Sequence, residues 1–419
     1  MSILAFATFL CCIAAACRGG ARTKPTLTGC GAAPGITDDA VTGRTQATNA
    51  VAVDVYVDAT DSMIGFVKPT NGAYTVLLGR LEAAVNQGWV NTTLQYFKFG
   101  RTTIPITRDE YIEGTKTPAF YLDPRTHQTT KIDLAIARAA NDRVTIVITD
   151  LFQDKSDVNR LVAAVKERCF RQGIDVGIVA VPAAFDGTVF DAPVGSYRFK
   201  STDDPSTFRP FYLLMFGDAG NLLKLVEKLG GMHAIPPDRF FLISDHILNG
   251  YGVSVRKQAI STALIPLASP KPAEFSFRLK RIGNVSDGGT FDFCAAIQPK
   301  PGAPVIGADG VHLSAVKNGQ PAEFTLRSLA RDAGGFRGVV DYDTRRPPGR
   351  YNYTLVLSAS NSTLKVPAWI AELSSANPRA DVDGNRTLNL DLLVSGLLDA
   401  KTTMSPPPLA KFDVTIDRK

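Results

Sequence analysis

The sequence Val51-Ala-Val-Asp-Val-Tyr-Val-Asp-Ala-Thr-Asp-Ser62 decides the fold of the first half of the chain. Its first seven residues include four valines, and such a β-branched apolar run is typical of a buried strand. Side chains that carry oxygen follow at once: Asp58, Thr60, Asp61 and Ser62. In open α/β sheets, ligands bind just beyond the carboxyl ends of the strands. The segment therefore predicts a central strand that ends in a functional loop.

Strands and helices alternate along the residues that follow this strand. The predicted strands are 93–99, 144–149, 174–181 and 211–216, and the predicted helices are 71–85, 132–140, 157–171 and 221–229. This alternation is typical of βαβ units, which form a parallel sheet with helices on both faces. We therefore predict a doubly wound, mainly parallel α/β domain over residues 50–250.

Two further segments bring oxygen-bearing side chains to the same predicted edge of the sheet. Thr130 lies just before the helix 132–140, and Asp150 follows the strand 144–149. Carboxylate and hydroxyl oxygens are hard ligands, which suit Mg²⁺, Mn²⁺ or Ca²⁺ better than zinc or copper. We therefore expect a site for Mg²⁺, or for Mn²⁺ or Ca²⁺ in its place. Such carboxylate and hydroxyl oxygens are supplied by Asp58, Thr60, Asp61 and Ser62 after the first strand, by Thr130 before the helix, and by Asp150.

These residues resemble a known motif. Asp58-x-Thr60-x-Ser62 is similar to the DxSxS signature of the von Willebrand factor type A (vWA) domain. Thr130 and Asp150 match the second-loop threonine and the third-loop aspartate of that family. The resemblance implies a Rossmann-like sheet that carries a metal-ion-dependent adhesion site (MIDAS). It implies direct ligation by Thr60, Ser62 and Thr130, with Asp58 and Asp150 acting directly or through water. It also implies that an acidic side chain of a partner protein completes the coordination.

From Ala273 onward, apolar residues alternate with polar ones. The alternating runs lie at 275–279, 291–295, 322–326, 336–342 and 351–357. Period-two alternation between Gly and Pro turns is typical of antiparallel strands with one buried face. We therefore predict a β-sandwich, Ig-like in pattern, over residues 270–370.

Residues 371–419 are predicted to form an extension of one helix and one strand. The helix would lie within 387–398, and the strand would span 412–416. The apolar face of this helix is predicted to contain Leu388, Leu392 and Leu398.

The N-terminus has the pattern of an export signal. Residues 2–17 contain no charged side chain and are too few to span a bilayer as a mature helix. The run Ala14-Ala-Ala-Cys17 resembles a bacterial lipobox, in which the cysteine becomes the lipidated first residue. We predict a signal or lipoprotein leader at 1–17 and a flexible tether at 18–49. The expected location is the bacterial periplasm or cell envelope, with Cys17 as the membrane anchor.

Composition argues against several other classes of protein. The 46 basic and 40 acidic residues give a net charge of +6 over 419 residues, without the basic stripe of a nucleic-acid-binding protein. Six cysteines are too few for a dense disulfide framework, and none has zinc-site spacing. Cys169 and Cys294 lie in apolar patterns and are predicted to be small buried hydrophobic residues.

The leading hypothesis is a non-enzymatic envelope protein that binds or adheres to partner proteins through a metal ion. No P-loop, HExxH or GxSxG motif occurs in the sequence. Two alternatives stay open. One is a divalent-metal-dependent hydrolase on a similar sheet, and the other is a structural envelope module with a silent metal site.

Overall fold

The computed structural model describes most of the chain outside the predicted leader. The described residues are 38–43, 47–70, 72–127, 129–151, 158–190, 196–255, 264–267, 273–279, 288–318, 320–322, 324–332, 334–343, 347–376 and 384–418. The predicted leader and the lipidation candidate Cys17 lie outside them. Within these ranges, no helix combines the length and the apolar character needed to cross a membrane.

A seven-stranded sheet forms the centre of the first half of the chain. The strands of this half are β1 Ala50–Asp58, β2 Asn91–Phe99, β3 Thr103–Ile106, β4 Arg143–Thr149, β5 Asp175–Ala183, β6 Asp186–Val189, β7 Tyr197–Lys200, β8 Arg209–Gly217 and β9 Phe240–Ile243. Seven of them form the sheet in the order β3-β2-β1-β4-β8-β5-β9, while β6 and β7 form a separate hairpin. The half is therefore mixed α/β, as predicted.

The strand directions differ in part from the uniform βαβ pattern that the sequence predicts. β1 is parallel to both β2 and β4, but β8 lies between β4 and β5 and is antiparallel to each. The connection from β5 to β8 contains the β6–β7 hairpin. A parallel neighbour needs a crossover, usually a helix, so this connection returns the chain in the opposite direction. Four strands therefore run in the same direction: β1, β2, β4 and β5.

Helices cover both faces of the sheet. The helices are α1 Asp39–Thr42, α2 Ile64–Val67, α3 Ala73–Gly88, α4 Ile132–Ala135, α5 Val158–Arg168, α6 Ala219–Gly231, α7 Ala368–Glu372 and α8 Leu390–Met404. Short 3₁₀ turns lie at Asp61–Met63, Pro118–Leu122, Ile136–Arg138, Phe170–Gln172 and Pro205–Thr207, and a π turn lies at Glu110–Gly114. On β1, Val55 packs in the core with α3 and α6, while Tyr56 packs in the core with α4, α5 and α8. Because successive side chains of a strand point to opposite faces, β1 lies between two hydrophobic layers.

The second half of the chain is rich in strands. They are β10 Leu248–Val255, β11 Leu264–Leu267, β12 Glu274–Leu279, β13 Gly288–Pro299, β14 Val305–Ile306, β15 His312–Lys317, β16 Gln320–Pro321, β17 Phe324–Asp332, β18 Gly335–Asp343, β19 Gly349–Ser358, β20 Leu364–Lys365, β21 Ser374–Ser375, β22 Thr387–Leu388 and β23 Pro408–Arg418. One sheet has the order β10-β13-β18-β17, and a second has the order β11-β12-β23-β19-β15-β16. Aromatic pairs join the two sheets: the ring centroids of Phe277 and Phe291 are 5.2 Å apart, and those of Phe293 and Phe412 are 5.5 Å apart.

The C-terminal helix α8 packs on the α/β half rather than extending away from it. Val394 and Leu397 are buried in the core that also contains residues of α5. The predicted apolar face is wrong at Leu392, whose exposed fraction is 58%. The helix begins at Leu390, and its buried face follows the i, i+4 spacing of Leu393 and Leu397, so Leu392 points elsewhere.

The two cysteines within the described residues have different states. Cys169 is a free, buried thiol, as predicted, and burial raises its pKa to about 12. Cys294 is buried, as predicted, but it is also disulfide-bonded, which the sequence reasoning did not predict. An apolar flanking pattern reports burial and gives no information about pairing, which sequence spacing alone cannot specify. Cys11, Cys12, Cys17 and Cys30 lie outside the described residues.

Candidate metal site

The five predicted ligands lie together at one edge of the sheet. Asp58 ends β1, Thr60 and Ser62 lie in the turn that follows, Thr130 precedes α4, and Asp150 follows β4. Their exposed fractions are between 0% and 4%. Three segments that are far apart in the sequence thus contribute to one buried cluster of polar side chains.

Thr60 is at the centre of this cluster. Its hydroxyl Oγ1 donates to Asp58 Oδ1 at 2.7 Å. The same Oγ1 lies 3.2 Å from Ser62 Oγ and 3.3 Å from Thr130 Oγ1. On the far side, Ser62 Oγ donates to Asp150 Oδ1 at 3.2 Å. The oxygen atoms of all five side chains are therefore linked within hydrogen-bond distance.

The pairing of the strands explains why these residues meet. Val57 of β1 pairs with Ile148 of β4 in parallel, so Asp58 and Asp150 emerge from the same edge. Thr130 arrives on a loop that is tied to the loop after β1 by backbone contacts. The amide of Asp61 donates to the carbonyl of His127 at 3.2 Å.

Gly100 allows these loops to approach each other closely. A Cβ atom at this position would collide with the backbone of Thr126 and would crowd the methyl group of Thr60. The hydroxyl of Thr126 also donates to the carbonyl of Ala59 at 3.2 Å. The end of β2 thus supports the loop that carries the ligands, without contributing a ligand itself.

Burial and mutual repulsion disfavour the charged forms of the two carboxylates in this cluster. Burial is the larger cause, and the nearby charge of Asp150 the smaller one, of a rise in the pKa of Asp58 to about 7. Hydrogen bonds from Thr149, Thr60 and Thr130 act in the opposite direction and stabilise the carboxylate of Asp58. A cation bound among these oxygens would relieve both the loss of hydration and the repulsion.

Thr149 is a site residue that the sequence reasoning missed. Its hydroxyl donates to Asp58 Oδ2 at 2.7 Å and accepts the amide of Leu151 at 3.1 Å. Threonine is common in strands, so a Thr at the end of β4 carries no special pattern. The sequence signal that could have identified Thr149 is its position directly before Asp150. The last residue of a strand lies at the same edge of the sheet as the loop that follows it.

Arg209, the first residue of β8, was also missed. It is 1% exposed, and its Nη2 lies 4.0 Å from Asp150 Oδ2. Its Nη1 donates to the carbonyls of Gly384 at 2.9 Å and Arg386 at 3.1 Å. No local pattern predicts this contact, because it depends on the insertion of β8 next to β4.

Leu151 has an unusual backbone conformation directly after Asp150. Its φ angle is 63°, in the left-handed region, where a residue with a branched side chain is strained by about 1–2 kcal/mol. The side chain is buried in the core that contains α5. This burial, together with the bond from its amide to Thr149, holds the turn that presents Asp150.

The donor set fits a small divalent cation. In an octahedral Mg²⁺ site with bonds of about 2.1 Å, neighbouring ligand oxygens lie roughly 3 Å apart. The oxygen-to-oxygen distances in the cluster, from 2.7 to 3.3 Å, are close to that spacing. Three of the five side chains in the cluster provide hydroxyls, and two provide carboxylates. Elsewhere too, the described ranges contain no group of three or more His, Cys, Asp or Glu side chains that could hold a metal ion.

Comparisons with known proteins give no independent identification. The chain matches no family model, no curated protein and no solved structure. The function is therefore inferred from the five oxygen donors, from their burial and from their arrangement at the sheet edge.

Proposed function

We propose that the α/β half is a vWA-like domain that binds Mg²⁺, or Mn²⁺ or Ca²⁺ in its place, and through it a carboxylate of a partner protein. The observation that carries this proposal is the meeting of Asp58, Thr60, Ser62, Thr130 and Asp150 in one buried cluster. The role is non-enzymatic adhesion or protein binding.

The side chains of the cluster have separate tasks in this proposal. The hydroxyls of Thr60, Ser62 and Thr130 are neutral donors, so they hold a cation without cancelling its charge. Asp58 is kept in place by the hydroxyl of Thr149, and Asp150 by the hydroxyl of Ser62. When bound, the cation supplies a Lewis-acidic point to which an anionic oxygen from outside can attach.

We further propose that the protein is exported and acts in the bacterial cell envelope. The disulfide at Cys294 supports this location, because disulfides persist mainly in oxidising compartments. The two facing sheets of the second half would form an Ig-like β-sandwich that acts as a spacer or a second contact surface. Lipidation at Cys17 stays a prediction from the lipobox-like sequence.

A calorimetric titration of Mn²⁺ into the full-length chain tests the metal site. We expect one ion per chain, and we expect the isosteric variant Thr130→Val to bind at least about tenfold more weakly. Thr145→Val is the matched control, because Thr145 is a buried threonine of β4 whose hydroxyl has no hydrogen-bond partner within the described residues. Equal binding by Thr130→Val and wild type, or no binding by wild type, would contradict the proposal.

Binding of a carboxylate separates the adhesion proposal from its alternatives. Sodium acetate should bind to the ion-loaded chain and should not bind after EDTA treatment. Absence of ion binding would favour the structural module with its silent metal site. Ion binding without acetate binding would contradict the adhesion proposal, and ion-dependent cleavage of a model ester or phosphoester would favour the hydrolase.

A further inference from the structure

Arg209 brings a permanent positive charge into the metal site. A guanidinium group stays protonated in proteins, so burial does not neutralise it. Its side chain is 1% exposed, lies 4.0 Å from the carboxylate of Asp150, and has its charged carbon 5.7 Å from the centre of the Phe185 ring. Solvent therefore screens this charge very little.

The rest of the chain holds Arg209 in a fixed position. Its Nη1 donates to the carbonyls of Gly384 and Arg386, which belong to the segment that leads into α8. Tyr212, three residues further along β8, donates from its hydroxyl to Thr387 Oγ1 at 2.9 Å. The guanidinium is thus fixed between the site and the C-terminal segment 384–388.

The charges of the site can be counted with Arg209 included. The carboxylates of Asp58 and Asp150 contribute −2, and Arg209 contributes +1. A divalent cation then brings the total to +1, and one incoming carboxylate brings it to zero. Without Arg209 the ion-loaded site would already be neutral, and an anion would gain less from entering it.

We propose that Arg209 determines the ligand specificity of this site: it weakens cation binding and strengthens the binding of an anionic ligand to the ion-loaded site. This inference rests on the proposed metal-dependent function. Arg209 acts here as a positioning and charge-setting residue, without ligating the cation itself.

A purely structural role for Arg209 would have a different consequence. If the guanidinium only joined the segment 384–388 to β8, its loss would loosen the site and would weaken both cation binding and anion binding. The charge-setting role predicts that the two affinities change in opposite directions.

The test compares four full-length proteins: wild type, Arg209→Met, Arg209→Lys and Arg143→Met. Met removes the charge. Lys keeps the charge but lacks the planar guanidinium group with its several hydrogen-bond donors. Arg143 is the matched control, because it pairs with the buried Asp54 at 3.0 Å at the opposite end of the sheet. Mn²⁺ affinity is measured by calorimetry, and acetate affinity by the displacement of Mn²⁺-bound water in proton relaxation measurements.

We expect Arg209→Met to bind Mn²⁺ about tenfold more tightly and acetate about tenfold more weakly than wild type. Arg209→Lys should restore most of both values, and Arg143→Met should match wild type in both. Weaker binding of both probes by Arg209→Met, or no change in either, would overturn the inference. If wild type binds no Mn²⁺, the proposed function fails and the inference fails with it.

A measurement on the wild type alone can still overturn the inference if Arg209→Met does not fold. The ion-loaded chain should bind acetate at least about tenfold more tightly than the neutral acetamide, because the loaded site carries a net positive charge. Equal binding of the two compounds would overturn the inference.

Discussion

At the scale of single residues, Asp58 and Asp54 provide an informative contrast on the same strand. Both are fully buried aspartates of β1, but Asp54 faces Arg143 at 3.0 Å, whereas Asp58 shares its surroundings with Asp150. A buried charge with an opposite partner is stabilised, and one with a like neighbour is not. The arrangement around Asp58 is therefore a local source of instability that a bound cation would remove.

This contrast predicts stability changes of opposite sign. In EDTA at pH 8, Asp58→Asn should raise the free energy of unfolding by about 1–2 kcal/mol, because it removes a buried charge and its repulsion. Asp54→Asn should lower it by about 1–2 kcal/mol, because Arg143 loses its buried partner and keeps only the exposed Asp142 at 3.5 Å. Urea unfolding of both variants measures the two changes. A loss of stability in Asp58→Asn would contradict this expectation.

The meeting of the five candidate ligands at one edge could be predicted from the sequence, because each lies next to a strand or helix with a clear apolar pattern. Asp58 and Asp150 follow strands whose apolar runs are unmistakable, and a parallel register necessarily brings such strand ends together. Arg209 could not be predicted in the same way. It reaches Asp150 only because β8 lies antiparallel between β4 and β5. The hydrophobic pattern of a strand does not specify its neighbours or its direction in the sheet.

At the scale of elements, lengths and connections were harder to predict than positions. The predicted helix at 132–140 is the short α4 followed by a 3₁₀ turn at Ile136–Arg138. The polar segment between β5 and β8 contains the hairpin β6–β7, whose strands are only four residues each. Short elements bury few side chains, so their hydrophobic pattern is too weak to fix type or direction.

The C-terminal helix α8 allows a direct test of how it packs. Leu397→Ala should lower the free energy of unfolding by about 2–4 kcal/mol, because Leu397 is 3% exposed and packs in the core beneath α8. Leu392→Ala on the same helix should change it by less than about 0.5 kcal/mol, because Leu392 is exposed. Equal effects in chemical denaturation would contradict the observed orientation of α8.

At the scale of the whole molecule, a second group of charges joins the C-terminal helix to the α/β half. Lys401 of α8 is 2% exposed and pairs with Asp245 at 3.0 Å. Asp175, at the start of β5, accepts the amide of Ala219 at 3.0 Å. Burial, and to a lesser extent the charge of Asp245, raises the pKa of Asp175 to about 6, while the charge of Lys401 acts against this shift.

The pKa of Asp175 predicts a pH dependence of stability. The folded chain holds the proton of Asp175 more tightly than the unfolded chain, so its contribution is complete below about pH 4 and is lost as the pH rises through about 6. The stability of Asp175→Asn relative to wild type should therefore rise by about 3 kcal/mol between pH 4 and pH 7. Asp203→Asn, on an exposed turn, controls for the loss of one negative charge. A stability difference between Asp175→Asn and wild type that stays constant with pH would contradict this expectation.

The central claim is that the oxygens of Asp58, Thr60, Ser62, Thr130 and Asp150 hold a divalent cation. The most direct measurement is an anomalous difference map from crystals of the full-length protein grown with Mn²⁺. We predict a strong peak among these oxygens, at roughly 2.1–2.3 Å from the hydroxyls of Thr60 and Ser62. The same crystals with no anomalous peak in this cluster, while Mn²⁺ is present at millimolar concentration, would contradict the account.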